Sequence, residues 1–107
     1  MNTFDKREKG FEAKFAHNEA LKFKATARRN KLLGLWAAEL MGLRGDEAQD
    51  YAKSVVKAEF KEPGDEGVFR KVRGDFDAKN IDQSDHQIRR TMDELVTTAA
   101  EQVEQES

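Results

Sequence analysis

The chain of 107 residues is 37% apolar and 37% charged and has no cysteine, which suits one small domain and excludes disulfide bonds and thiolate metal sites. Residues 1–31 carry nine Lys/Arg against four Asp/Glu, whereas residues 32–107 carry ten against seventeen, so a basic N-terminal part precedes an acidic remainder. Because no apolar run approaches the about 18 residues of a membrane span and the N-terminus lacks the apolar block of a signal peptide, we expect a soluble, cytoplasmic protein.

The first predicted helix runs from near Thr3 to Met41. At about 100° per residue, three rings in its first half fall within about 40° of one another: Phe4, Phe11 and Phe15. Arg7 and Lys14 lie along one edge of this stripe, and acidic residues lie along the other. Aromatic side chains on one helix face, with charged edges, are typical of a helix that docks into a groove of another protein.

The length of this helix separates the chain into two parts. Residues 3–41 would span about 58 Å as a helix, whereas partner helices of about 15 residues would span only about 22 Å. We therefore predict a flexible N-terminal arm at residues 1–19 and a four-helix bundle at residues 20–107. Gly10 weakens the arm as an isolated helix, so we expect the arm to become ordered when it binds. The alternative is that its rings fold back onto the bundle.

The second half of the first helix and the second helix supply two apolar faces. The first face is predicted to contain Leu21, Ala25, Leu32, Leu33, Leu35, Trp36 and Leu40. Gly42 is predicted to end this helix in a left-handed conformation. Asp46 and Gln49 are predicted to form the capping box that begins the second helix. The second face is predicted to contain Ala48, Tyr51, Ala52, Val55, Val56 and Phe60, and Pro63-Gly64 ends the helix.

Two further helices complete an all-α prediction. The third begins at Asp65 and Glu66, whose carboxylates suit a helix N-terminus, and it stops at Asn80. Ser84 and Gln87 form a second capping box, which opens the fourth helix, and we expect residues 104–107 to fray. The apolar residues of these two helices are Val68, Phe69, Val72, Phe76, Ile88, Met92, Leu95, Val96, Ala99 and Val103.

Basic clusters offer candidate anion-binding residues, because guanidinium groups suit phosphate. The candidates for a nucleotide site are Arg28, Arg29, Lys71, Arg89 and Arg90. The competing interpretation is an ordinary solvated surface, since the chain has no glycine-rich loop that would hold phosphates.

Residues typical of catalysis or metal binding are missing from the pattern. The sequence has no cysteine nucleophile and no Gly-x-Ser-x-Gly motif, and the two histidines, His17 and His86, lack the spacing of metal ligands. We therefore predict no catalytic residue and no metal site, and a protein that is not an enzyme.

Three segments resemble the zeta-subunit inhibitors of alpha-proteobacterial rotary ATP synthases. They are FDKREKGFEAKFAHNEALKFKATARRNKLLGLWAAELMG, FRKVRGDFDAK and HQIRRTMDEL, and the likeness covers roughly residues 3–96. The resemblance implies a four-helix bundle whose N-terminal segment, here Asn2 to about Glu19, blocks ATP hydrolysis by entering an interface between the alpha and beta subunits near the gamma rotor. The contacts would then come from Phe4, Arg7, Phe11, Lys14 and Phe15.

The resemblance also implies partners and a ligand. The partner would be the catalytic head of the synthase, so the protein would be cytoplasmic, peripheral to the inner membrane and not inserted in it, and we expect it to be a monomer when free. No cofactor is required, but ADP or ATP is implied as a regulatory ligand of the bundle. Three alternatives stay open: a nucleotide sensor, a nucleic-acid-binding protein, which the interleaved acidic residues argue against, and a structural bundle that dimerises through the phenylalanine stripe.

Overall fold

The structure is a computed structural model that describes residues 18–106 and places four α-helices in that range. They are α1 (Glu19–Leu40), α2 (Asp46–Lys61), α3 (Asp65–Ala78) and α4 (Asp85–Glu106), and no strand occurs among these residues. Helix α1 packs along α2 and α4, and α3 closes the bundle between α2 and α4. The all-α four-helix fold is thereby confirmed. Within the described residues, no helix is long and apolar enough to cross a membrane.

Helix α1 begins later than the sequence predicts. Asn18 has an extended backbone (φ −127°, ψ 96°), and its side-chain oxygen accepts a hydrogen bond of 3.1 Å from the Leu21 N–H. An asparagine in this role is an N-cap, which satisfies one of the free N–H groups of the first turn. The prediction of one continuous helix from Thr3 to Met41 is therefore wrong, and the segment before Asn18 lies outside the described residues.

Local hydrogen bonds account for most of the other helix ends. Gly42 (φ 79°) and Asn80 (φ 57°) both adopt the predicted left-handed conformation. In each case the next residue donates back over one turn, Leu43 to the Ala38 carbonyl at 2.9 Å and Ile81 to the Phe76 carbonyl at 2.9 Å, as in a Schellman motif. These two helix ends are confirmed.

The two predicted capping boxes have different outcomes. Ser84 and Gln87 exchange the expected pair of bonds, at 2.8 and 3.1 Å, which confirms this box. Asp46 is instead the first residue of α2, so its predicted role as N-cap is wrong. The cap is Gly45, whose positive φ of 56° lets the loop turn tightly into the helix without a side-chain hydrogen bond.

The core lies where all four helices meet. Its buried residues are Leu33, Ala37, Val55, Val68, Phe69, Val72, Phe76, Ile88 and Met92. Trp36 is half-buried and packs its ring on Phe76, with 5.6 Å between ring centroids. The predicted faces of α3 and of most of α4 are confirmed by this burial.

Three predicted core residues are exposed: Leu40, Phe60 and Val96. The buried side of α1 is centred on small and polar residues, Asn30, Gly34 and Ala37, and Leu32 is only half-buried. The apolar side chains alone predicted that a leucine stripe of α1 is buried. Because α2 approaches α1 closely, the side of α1 that carries Gly34 and Ala37 is buried. Helix α1 therefore buries a side that differs in part from the one that hydrophobicity predicts.

The α1–α4 pair extends beyond α3. Both helices have 22 residues, against 14 in α3, and Asp65 at the start of α3 lies level with Arg29, ten residues into α1. Arg28 ties this extension together with hydrogen bonds of 2.7 and 2.8 Å to the Glu106 carboxylate. The expected fraying of the tail is wrong as far as Glu106, because this ion pair and the burial of Val103 hold the last turns.

Candidate functional site

The residues predicted to bind the partner lie outside the described part of the chain. They are Phe4, Arg7, Phe11, Lys14 and Phe15. Asn18 and Glu19, the first described residues, lie at the free end of the α1–α4 pair, where α1 starts and α4 ends. Any segment that precedes Asn18 is therefore attached to one end of the bundle and not to its side.

An exposed aromatic pair lies close to this end. Phe23 and Phe60 are 60% and 67% exposed, yet their ring centroids are only 6.3 Å apart. Phe23 is in the second turn of α1, and Phe60 is at the end of α2. The sequence pattern did not indicate this pair, because it assigned Phe60 to the core and Phe23 to no face. The antiparallel pairing of α1 with α2 brings them together.

The five nucleotide-binding candidates do not form one cluster. Each contacts an acidic group: Arg28 pairs with Glu106, Arg29 with Asp65, Lys71 with Asp75, Arg89 with Glu66 and Arg90 with Glu94, at 2.7–3.0 Å. The pairs of Lys71 and Arg90 are four residues apart on one helix, as surface pairs commonly are. All five side chains are thus held by carboxylates of the chain itself.

Two of the candidates meet at the first turn of α3. Arg29 reaches Asp65 from α1, and Arg89 reaches Glu66 from α4 while its guanidinium lies 3.9 Å from the centre of the Phe69 ring. Carboxylates in a first helical turn are stabilised by the helix dipole, so these ion pairs are doubly favoured. An anionic ligand at this point would first have to displace them. Nucleotide binding stays a prediction, which a titration with ADP would test.

A buried polar network joins α1 to α2 and α3. Arg29 and Asn30 are 4% and 0% exposed, and the Asn30 side-chain oxygen accepts from Arg29 Nε at 2.8 Å. The Asn30 amide donates to Glu59 at 2.7 Å, and the other end of the Arg29 guanidinium donates to Asp65 at 2.7 Å. Every buried donor is satisfied, so this network fixes the relative position of three helices.

Tyr51 forms a second polar link, between α2 and α3. Its hydroxyl donates to Asp75 at 2.8 Å, and Lys71 lies 5.2 Å from the ring centre. Burial, followed by the hydrogen bond to Asp75 and the negative charge of that carboxylate, raises the pKa of Tyr51 well above its ordinary value. The phenol thus stays protonated and acts as a structural donor.

The described residues contain no chemistry that would indicate a reaction. Within residues 18–106, no three histidine or acidic side chains come together as a metal site would require. His86 is exposed in the first turn of α4, and His17 lies outside the described range. The features that stand out in residues 18–106 are exposed aromatic rings and ion pairs between helices.

Comparisons with known proteins agree with this description. The model of the family ATPase inhibitor subunit zeta matches residues 1–102. Among solved structures, one solution NMR structure is similar to the chain, with 48% sequence identity and a TM-score of 0.72; the match covers 81% of this chain and 99% of that one. No curated protein matches the chain. Because the family model spans nearly the whole sequence, the chain belongs to the ATPase inhibitor subunit zeta family and is an inhibitor of the ATP synthase.

Proposed function

We propose that residues 1–19 inhibit ATP hydrolysis by entering a catalytic interface between the alpha and beta subunits of the synthase head. Phe4, Phe11 and Phe15 fill apolar space in the groove, and Arg7 and Lys14 pair with its acidic groups. Rotary hydrolysis requires each interface to open and close in turn, so a helix held in one interface stops the cycle without touching the reacting phosphate.

One observation carries the proposal. The family match begins at residue 1 and so includes the predicted aromatic stripe, in addition to the four helices whose central core runs from Leu33 to Met92. The aromatic stripe predicted before Asn18 thus lies in the part of the chain that matches a family of inhibitors, and a partner groove that receives its three rings gives it a function.

The decisive experiment compares the full-length chain with a chain that begins at Asn18, in an ATP hydrolysis assay on the purified head. The truncation keeps Asn18 because its side chain caps α1, so the bundle should remain folded, as far-ultraviolet circular dichroism would show. We expect inhibition to be lost. A truncated protein that still inhibits fully would show that the arm is dispensable.

Two substitutions refine the test within the full-length chain. Replacing Phe11 by alanine should weaken inhibition, because a buried ring is lost from the interface. Replacing Gly10 by alanine should preserve or strengthen it, because the arm then loses less conformational freedom when it becomes helical. If the Phe11 variant inhibits as well as the unmodified protein, its ring does not contribute to binding, and if the Gly10 variant inhibits less well, the arm does not bind as a helix with this residue free of the partner.

A further inference from the structure

The outer groove between α1 and α2 carries an apolar strip that no described residue covers. Phe23 and Phe60 are its most exposed members, and Ala27 and Val56, each one turn along its helix from one of the rings, are half-buried beside them. Large aromatic side chains that are more than half exposed and lie against each other are uncommon away from interaction sites. The strip is therefore a candidate docking surface.

Lysine residues border this strip on both helices. Lys24 and Lys31 lie two turns apart on α1, Lys24 directly after Phe23 and Lys31 one turn after Ala27. On α2, Lys53 and Lys57 lie seven and three residues before Phe60 and thus border the ring on the same helix. Each of the four lysines is exposed.

These lysines have no ion pair with any carboxylate in residues 18–106. In contrast, the arginines proposed as nucleotide-binding candidates each pair with a carboxylate; Arg28, for example, pairs with Glu106 and Arg89 with Glu66. These four positive charges thus have no direct acidic partner among residues 18–106, and they outnumber the two acidic residues that are nearest in sequence to Phe23 and to Phe60, Glu19 and Glu59 respectively. Unpaired positive charge around an apolar centre favours and orients a partner of opposite charge.

Charge also distinguishes between possible occupants. Residues 1–17 carry four Lys/Arg against three Asp/Glu, so the chain's own N-terminal segment is not an acidic partner. In a symmetric dimer through this face, the lysines of one copy would oppose those of the other. An acidic surface with an apolar centre fits the groove better than either.

We infer that the Phe23–Phe60 strip and its lysine border form a second contact with the synthase head, at an acidic surface beside the interface that receives the arm. The inference rests on the proposed function, since it places this contact next to the arm's attachment at Asn18. The bundle then does more than carry the arm: it anchors the inhibitor and aligns α1 with the entrance of the interface.

The test compares two patch variants with matched controls in the full-length chain, using the concentration needed for half-inhibition of ATP hydrolysis. Phe23→Ser with Phe60→Ser removes the rings, and Leu40→Ser with Val96→Ser changes two exposed apolar residues elsewhere. We expect the first pair to raise the half-inhibitory concentration at least about tenfold and the control pair to leave it within about twofold.

A second comparison reverses charge. Lys53→Glu with Lys57→Glu should weaken inhibition and change its dependence on ionic strength. Arg44→Glu with Lys79→Glu, which changes the charge equally but away from the groove, should do neither. Circular dichroism of each variant checks that the bundle is intact. If the patch variants inhibit as well as their controls, the second contact does not exist.

Photo-crosslinking identifies the occupant. With p-benzoylphenylalanine at position 60, we expect a crosslink to a subunit of the head in the inhibited complex. A crosslink to residues 1–17 of the same chain, or to a second copy, would overturn the inference. The chain that begins at Asn18 separates the two proposals: if it fails to inhibit while the Phe23/Phe60 variant inhibits normally, the arm mechanism stands and only the second contact falls.

Discussion

Gly34 is a position where one added methyl group should be costly. It is buried in α1 against α2, and a Cβ atom there would lie 2.6 Å from the Cα atom of Ala52 and 3.2 Å from a methyl carbon of Val55. The first contact is with backbone, so no side chain can move aside. The two helices would have to separate until this distance reaches at least 3.4 Å, the start of ordinary contact.

The magnitude follows from two opposing terms. Forcing extra volume into a packed core typically costs about 1–3 kcal/mol, whereas alanine is favoured over glycine in a helix by about 1 kcal/mol. Because Val55 and Ala52 are fully packed and the obstacle is backbone, we place the steric cost in the upper half of its range. Gly34→Ala should therefore lower the free energy of unfolding by about 1–2 kcal/mol.

Gly74 provides a matched control. It lies in α3, is exposed, and a Cβ atom there would meet nothing within 4 Å. Gly74→Ala should stabilise the protein by up to about 1 kcal/mol through helix propensity alone. Urea denaturation followed by circular dichroism measures the free energy of unfolding of both variants. The same glycine-to-alanine change should lower it at position 34 and raise it at position 74. Equal stabilisation in the two variants would refute the close approach of α1 and α2.

Two further predictions concern the polar links. Tyr51 is the chain's single tyrosine, and its raised pKa means that the unfolded state releases a proton near pH 10 while the folded state keeps it. The contribution of Tyr51 to the free energy of unfolding is thus present below about pH 10 and is lost as the pH rises further, and Tyr51→Phe should remove this part of the pH dependence. Ultraviolet absorbance of the phenolate should show ionisation near pH 10 only after denaturation. Ionisation of the native protein at that pH would contradict the burial of the ring. Arg28→Ala should speed the hydrogen exchange of the backbone amides in the last turns of α4, because the bonds to Gln102 and Glu106 are lost. The control Arg90→Ala removes an exposed ion pair within one helix and should change the free energy of unfolding by less than about 0.5 kcal/mol. Equal exchange in both variants would show that the Arg28 contacts do not hold the end of α4.

The residues that end the helices were readable from the sequence because their effects are local. Gly42, Asn80 and the Ser84–Gln87 pair act through hydrogen bonds within a few residues, so their residue types suffice to predict them. Four amphipathic segments, one proline and no strand pattern likewise determined the all-α class. The similarity of three segments to zeta-subunit inhibitors pointed to the family, which the match to residues 1–102 confirms.

Only the tertiary structure decided which residues at the α1–α2 contact are buried and which charges are paired. Burial of Asn30 and exposure of Phe60 depend on how closely α2 approaches α1, and the partners of Arg28 and Arg89 come from residues 78 and 23 positions away. Which side chains become buried or paired depends on how all four helices pack together, so the sequence of a single helix does not determine it. The aromatic strip with its unpaired lysines arises in the same way, because Phe23 and Phe60 become neighbours only when two antiparallel helices pack.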